Sequence, residues 1–405
     1  MTILDKLNKP EIITATYRIV TPMFIGDAQQ KATGISPASV KGALRIWWRA
    51  LNWGRVASAC HSETEALKQL HEEEAILFGS SAYDSENKQR DKDGKPLIGV
   101  SRFTLNVVTE ELKCGKIDKP SSGVQYLLGQ GLYSFREGVL REPIKGGSFS
   151  IKCILSAKAT DTHKQQLEEA LLAFGLLGGM GSRNRKGFGS CAIVEANFSK
   201  YDVPQNEEDY KKIIEDLNRG VNNEPPFTAF SDLTNIQISL KGDSSTDLLN
   251  KAGNEQQLYR SWGSSKNGGE HKVNGQKAEQ NFKQSHDLME SVSNGKAPNT
   301  MPEKAAFGLP QNYFFSSIKK NVEFSLAENK RTRRASPLFI HLHQFPNGDC
   351  ILVHSLFPAV FLKEGEKLEF KVKQRKQTLQ YKEDIIDWKV IHTYLERYTD
   401  REVVL

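Results

Sequence analysis

The stretch most suited to chemistry is GLLGGMGSRNRKGFGS, residues 175–190, where Gly178, Gly179, Gly181, Gly187 and Gly189 surround Arg183, Asn184, Arg185 and Lys186. A glycine in an ordered element costs up to about 1 kcal/mol relative to alanine, so such density needs a reason. Two phosphate loops are excluded by spacing. A Walker A loop requires Gly-Lys followed by Ser or Thr, whereas Lys186 precedes Gly187 and Phe188. A dinucleotide fingerprint follows a strand and opens a helix, whereas this loop follows a helical pattern and opens a strand. What remains is main-chain N–H beside cations. That combination suits the phosphates of an extended nucleic-acid strand, with Gly181 and Gly187 admitting its backbone, or else describes a solvated, flexible turn.

Two further basic clusters bear on that choice. Lys41, Arg45 and Arg49 recur at i, i+4 and i+8 and share one helix face, with Trp47 and Trp48 on neighbouring faces. Such a stripe could track a phosphate backbone while an indole stacks on a base, or it is a solvated face above buried tryptophans. Arg331, Arg333 and Arg334 crowd NKRTRRASPL just ahead of a strand pattern. Three basic clusters in one chain shift the balance toward RNA or DNA. Catalytic chemistry is sparse: there is no GxSxG elbow, HExxH pair or EF-hand loop. Cys60, Cys114, Cys153, Cys191 and Cys350 stand apart without CxxC spacing, so neither a disulfide framework nor a zinc site is expected. His341, His343 and His354 lie within strand patterns and read as structural. Asp27 follows the first strand and could assist attack by an RNA 2′-hydroxyl, but no acid–base partner accompanies it. The expectation is a non-enzyme with no metal and no cofactor.

The elements that must position these residues begin with EIITATYRIV, residues 11–20, a β-branched and aromatic strand. Ser36 and Pro37 supply an N-cap and first-turn proline, after which Val40, Leu44, Trp47, Trp48 and Leu51 keep helical spacing to Gly54. GGSFSIKCILSA, the helical HKQQLEEALLAFGLLGG and the alternating FGSCAIVEANF complete an order that fits a ferredoxin-like α+β sandwich. Residues near 203–226 read as an interdomain helix between Pro- and Asn-rich flanks. Residues 243–300 read as polar with few apolar residues, part of them a long insertion that is mobile without a partner. PLFIHLHQF, the turn PNGD and CILVHSLFPAVF predict a hairpin, and Ile385, Trp388, Ile391 and Leu395 a final helix. At 405 residues the chain exceeds the roughly 250–300 at which one core stops growing, so two domains are expected, 1–200 and 201–405. Net charge is +6, and no run approaches the roughly 20 apolar residues of a membrane span. A cytoplasmic protein without membrane contact is the expectation.

TPMFIGDA, SPASVKGALRIWWRAL, GLLGGMGSRNRKGFGS, AAFGLP and RRASPLFI together resemble the RAMP superfamily of CRISPR proteins. The tryptophan pair after KGALR and the distal RRASPL are similar to the subunit family numbered first among the RAMP subunits of the type III-B (Cmr) effector complex. This resemblance implies two ferredoxin-like (RRM-like) domains with long loop insertions. It also implies a non-catalytic RNA-binding subunit in antiviral defence, holding the 3′ region of the guide (CRISPR) RNA and helping to capture complementary target RNA beside other Cmr/RAMP subunits. Lys41, Arg45, Arg183, Arg185 and Lys186 fall in the regions that the resemblance assigns to RNA, with Arg333 and Arg334 as RNA or subunit contacts. In the family, target cutting belongs to the backbone RAMP subunit and an aspartate after its first strand. Asp27 lies in the analogous region but directly follows Gly26, without that subunit's local pattern, and the role is not carried over. The alternatives are a metal-independent RAMP endoribonuclease that processes guide RNA, and a protein–protein adaptor whose basic patches meet acidic neighbours.

Overall fold

A computed structural model describes residues 10–27, 29–80, 99–263, 270–315, 318–327, 333–363, 365–380 and 386–405. Strict alternation of buried and half-buried side chains makes Ile12–Ile19 (β1) a strand with one covered face. It leads to α1 (Pro37–Ala59), α2 (Glu63–Phe78), β2 (Phe103–Cys114), α3 (Ser122–Leu128), the hairpin β3 (Tyr133–Ser134) and β4 (Gly138–Val139), β5 (Ile144–Leu155), α4 (Asp161–Leu177) and β6 (Cys191–Ala196). The sheet order is β2-β5-β1-β6, with every neighbouring pair antiparallel. Ser36 caps α1 by accepting the Ser39 N–H at 3.2 Å, with Pro37 in the first turn, as the sequence predicts. The helix does not stop at Gly54. That glycine is interior and buried, because a Cβ there would stand 2.2 Å from the Arg219 carbonyl oxygen.

The chain continues through α5 (Glu207–Leu217), β7 (Asn235–Gly242), α6 (Ser245–Tyr259), β8 (Lys272–Val273), β9 (Gln276–Lys277), α7 (Lys283–Ser293), β10 (Gln311–Phe315), β11 (Lys320–Leu326), β12 (Leu338–Gln344), β13 (Cys350–Leu356), β14 (Lys367–Val372), β15 (Arg375–Gln380), α8 (Lys389–Leu395) and β16 (Glu402–Val403). A second antiparallel sheet, β12-β13-β7-β16, repeats the strand order of the first around the same β-α-β-β-α-β path. Sheet β10-β11-β14-β15 is threaded into it on either side of the β12–β13 hairpin. Much of the described part of the polar segment 243–300 is helical. Its first third is α6, the first crossover helix of the second sheet, which buries Leu248, Leu249 and Ala252; α7 then buries Leu288, Met289 and Val292. Polar residues there cover the outer faces of amphipathic helices.

Helices α1 and α4 lie between the two sheets. Tyr17 of β1 packs on Phe174 of α4 with ring centroids 5.2 Å apart, while Trp47 of α1 packs on Phe339 of β12 at 5.8 Å and on Phe357 at 6.0 Å. Strands β12 and β13 are covered on both faces. Phe339 and Val353 join the core around α1 and α4, while Ile340, Leu342 and Leu352 join a separate cluster with α3 and α6.

Candidate nucleic-acid interface

The glycines of 178–189 serve the folding of the loop itself. Gly181, at φ +86°, brings its main chain against Phe24, whose carbonyl oxygen a Cβ would approach to 2.6 Å. Gly187, at φ +82°, presses on Leu249 of α6, so the position is filled by protein and is not open to a phosphodiester backbone. The Ile340 N–H donates to the Arg185 carbonyl oxygen at 3.1 Å, and Lys186 bridges Ile340 in parallel register, tying the loop to β12. This region is thus a strap between the two sheets rather than a flexible turn.

Its cations divide into two groups. Arg185 donates to the Ser336 carbonyl oxygen at 2.6 Å and stacks over Phe339 at 4.4 Å. Burial, with the charge of Arg334 second, brings its guanidinium down to about 10. Lys186 donates to Gln256 Oε1 at 3.2 Å, and burial followed by the charges of Arg260 and Arg183 brings its ammonium down to about 7. Asn184 donates to the Gly179 carbonyl oxygen at 3.1 Å and braces the turn. Arg183 differs: it is exposed, has a left-handed φ of 66°, and donates to the Gln130 carbonyl oxygen at 2.9 Å. Partial burial of the guanidinium, then the charge of Arg333, lowers its pKa. Among the described residues neither Arg183 nor Arg185 belongs to an ion pair.

On α1 the stacking role of the tryptophans is overturned. Trp47 and Trp48 are both buried; Trp48 meets Phe78 at 6.1 Å and donates from Nε1 to Gln166 Oε1 at 3.2 Å. The basic stripe faces α2 and β2. Arg45 and Arg49 each stand 3.5 Å from the buried carboxylate of Glu74, and Arg45 also donates to the carbonyl oxygens of Phe78 and Gly79 at the end of α2. Lys41 lies 5.3 Å over the Phe103 ring, its pKa lowered by burial and then by Arg45. Helix C-terminal carbonyls attract cations, which accounts for Arg45 without a ligand. Arg331 lies outside the described residues.

The fold joins two of the three basic clusters, and Arg49 of the third lines a cleft with Arg185 and Arg334. The charge of Arg333 reaches Arg183, and Arg334 lines that one cleft with Arg185 and adds its charge there, although some 150 residues separate each pair in sequence. Arg333 is exposed, and Arg334 is held by the Val360 carbonyl oxygen and lies 5.7 Å over Phe361. Like charges gathered this way raise the local potential and favour an anionic partner. Other contributors lacked a clustered sequence signal. Arg260, over Phe307 at 4.8 Å, adds its charge to that of Lys186, whereas Lys304, which donates to the Arg260 carbonyl oxygen at 3.0 Å, is buried and its ammonium is brought down to about 7 by that burial and then by Arg260. The hairpin β3–β4 presents Phe135, 93% exposed, beside Arg136.

Asp27 is exposed and lines a cavity of about 340 Å³ with Arg141 and Ser182. Its Oδ1 accepts the N–H groups of Gln29 at 2.9 Å and Lys31 at 3.0 Å, so it organises its own loop. His341, His343 and His354 are at most 1% exposed and structural, with His341 Nδ1 2.7 Å from the Gly178 carbonyl oxygen. His286, Asp287 and Glu290 place ligand-type atoms within 4.8 Å of one another on α7; Asp287 there pairs with Lys283, and His286 stacks on Trp262 at 4.3 Å. Among the described residues no helix is long and apolar enough to cross a membrane.

Residues 16–192 match the sequence profile of the RAMP superfamily. The CRISPR system Cmr subunit Cmr1-2 of Pyrococcus furiosus is 30% identical over 196 residues, which cover 43% of this chain and 90% of that protein. The crystal structure of Cmr1 from Pyrococcus furiosus in its apo form superposes with a TM-score of 0.56 at 16% identity, over 97% of this chain and 98% of that chain. A chain of the type III-B Cmr-beta complex, determined by cryo-EM bound to cognate target RNA, aligns at a TM-score of 0.49 and 13% identity, over 96% of this chain and 99% of that chain. The α+β architecture is thus shared with Cmr1 along nearly the whole chain, and the sequence match covers most of the Pyrococcus subunit: this chain belongs to the RAMP superfamily, as a member of its Cmr1 family.

Proposed function

We propose that the chain is a non-catalytic RNA-binding subunit of a type III-B CRISPR effector complex, acting in the cytoplasm beside other Cmr subunits. In this reading it holds the 3′ region of the guide RNA and helps to capture complementary target RNA. The observation that carries it is that Arg185 and Arg334 line one cleft and that the charge of Arg333 reaches Arg183, across the join between residues 1–200 and 201–405, which we take as the two domains. Arg183 and Arg333 are the exposed members and the phosphate contacts; Arg185 and Lys186 set the loop's position and field. The absence of a catalytic role is part of the same proposal: Asp27 is committed to its loop, and the three strand histidines are buried.

The test is a fluorescence-anisotropy titration of the purified chain with single-stranded RNA across a salt series, with and without EDTA. Affinity should fall steeply with salt, with a slope of roughly 0.7 per phosphate neutralised, and the RNA should stay intact. Negligible binding at low salt would contradict the reading, and cleavage would favour the endoribonuclease.

A further inference from the structure

Strand β2 is the last strand of its sheet and has β5 on one side only. The Ser156 N–H donates to the Arg102 carbonyl oxygen at 2.8 Å, and Thr104, two residues on, pairs with Ile154. In an antiparallel ladder this phase turns the main-chain groups of Thr104, Asn106 and Val108 toward β5 and those of Leu105, Val107 and Thr109 away from it. No described residue bonds to the outward set. The stretch FTLNVVT, residues 103–109, carries no charge and no proline, and Val108 is 54% exposed. Unpaired edges of soluble proteins are ordinarily guarded by charge, proline or a bulge. Here the guard begins only at Glu110, where the register with β5 shifts and Glu111 takes φ +48°.

The charge beside this edge is polarised along it. At the Phe103 end stand Lys41, 5.3 Å over the Phe103 ring, and Arg102, whose Nε is buried without a hydrogen-bond partner. At the other end Glu110 and Glu111 line a cavity of about 500 Å³ with a single cation, Lys113. Among the described residues Lys41, Arg102, Glu110 and Glu111 belong to no ion pair. From this arrangement we propose that β2 pairs with β2 of a second copy of the chain, antiparallel and about a two-fold axis at Val107. Val107 then faces its own copy, Leu105 faces Thr109 and Asn106 faces Val108, while the acidic end of each strand meets the basic end of the other. Parallel pairing would set like charges together. The interface is isologous and closes at two copies. A nucleic-acid strand is disfavoured, because the edge residues offer no cation to a phosphate. A strand of a different protein would also satisfy the main-chain groups; the second copy is preferred because β2 itself carries the order of charges that an antiparallel neighbour needs.

Sedimentation velocity of the full chain without RNA, from low to high micromolar concentration, tests this. The sedimentation coefficient should rise reversibly to that of a dimer. Val107→Pro removes an outward N–H at a position where an edge strand tolerates proline, and should raise the dissociation constant by about tenfold or more with the urea midpoint unchanged. Val107→Cys should give a disulfide-linked dimer under mild oxidation, since the Cα atoms of a facing pair stand about 5.5 Å apart, within the span of a disulfide. Val100→Cys, at a position 82% exposed but off the edge, should not. Both cysteine variants carry Cys114→Ser, because Cys114 is exposed. A wild type that stays monomeric throughout would overturn the inference and leave the edge to a strand of a different protein. A dimer whose dissociation constant is the same in folded Val107→Pro would also overturn it. Should Val107→Pro unfold, the crosslinking pair decides: linkage in Val107→Cys alone supports the pairing, and no linkage, or equal linkage in both variants, contradicts it.

Discussion

A Cβ at Gly189 would lie 2.0 Å from the Met180 carbonyl oxygen, and the residue has φ +64°, so no side chain fits there without moving main chain. Gly189→Ala should therefore lower stability by about 2–4 kcal/mol, read as a fall in the urea midpoint, because steric overlap adds to left-handed backbone strain. A midpoint unchanged from wild type would show that the loop can relax and that its glycines answer to something other than packing. Arg183 makes the converse point. It has a φ of 66° without being glycine, a conformation that costs about 1 kcal/mol, and its exposed guanidinium donates to the Gln130 carbonyl oxygen within reach of the charge of Arg333. Glycine density and basic residues were visible in the sequence, but composition could not separate a residue that fills a junction, such as Lys186, from one that faces water, such as Arg183. That distinction depends on what packs against the loop from β12 and α6.

Among the elements, β12 and β13 carry the least ordinary burden. His341, His343 and His354 sit inside the double-faced sheet, and burial is the leading reason that their imidazoles are pushed down to about 4, 3 and 3. The folded chain keeps these rings neutral, while the unfolded chain takes up protons as pH falls through about 6.5. The unfolded state then binds more protons, so stability should drop as pH is lowered from 6.5 toward 4, by up to about 1.4 kcal/mol per pH unit for each histidine. Urea midpoints at pH 7.5 and pH 5 check this, and His343→Phe should make the decline shallower; an identical decline in that variant would locate the acid sensitivity elsewhere. The hairpin itself was legible, because PNGD between two β-rich runs is a strong local signal, and Leu338 pairs with Leu356 accordingly. The cap at Ser36 was legible for the same local reason. The helical content of 243–300 was not, since α6 and α7 each bury only a narrow apolar stripe in a polar background. Gly54 misled because a buried close approach and a helix stop use the same residue.

For the whole molecule, the decisive feature is how two sheets with the same strand order enclose α1 and α4. That packing brings the loop after α4 and the segment before β12 onto one surface, so two basic clusters far apart in sequence act together, while the third, on α1, pairs with Glu74 of α2 and reaches that surface through Arg49 alone. No pattern in the sequence could report this, because it is fixed by long-range docking rather than by local periodicity. The central claim is that Arg183 and Arg333 neutralise phosphates of the same RNA strand. Arg185→Ala would be a poor probe, since it removes a packed ring contact and the hydrogen bond to Ser336. The most direct measurement is the salt dependence of single-stranded RNA affinity for wild type, Arg183→Ala, Arg333→Ala and the double variant, each first shown to unfold with the wild-type urea midpoint. Each single change should reduce the slope by about 0.7, and the double change by about 1.4. A double variant that keeps the wild-type slope would contradict the account and assign the junction to contacts between subunits.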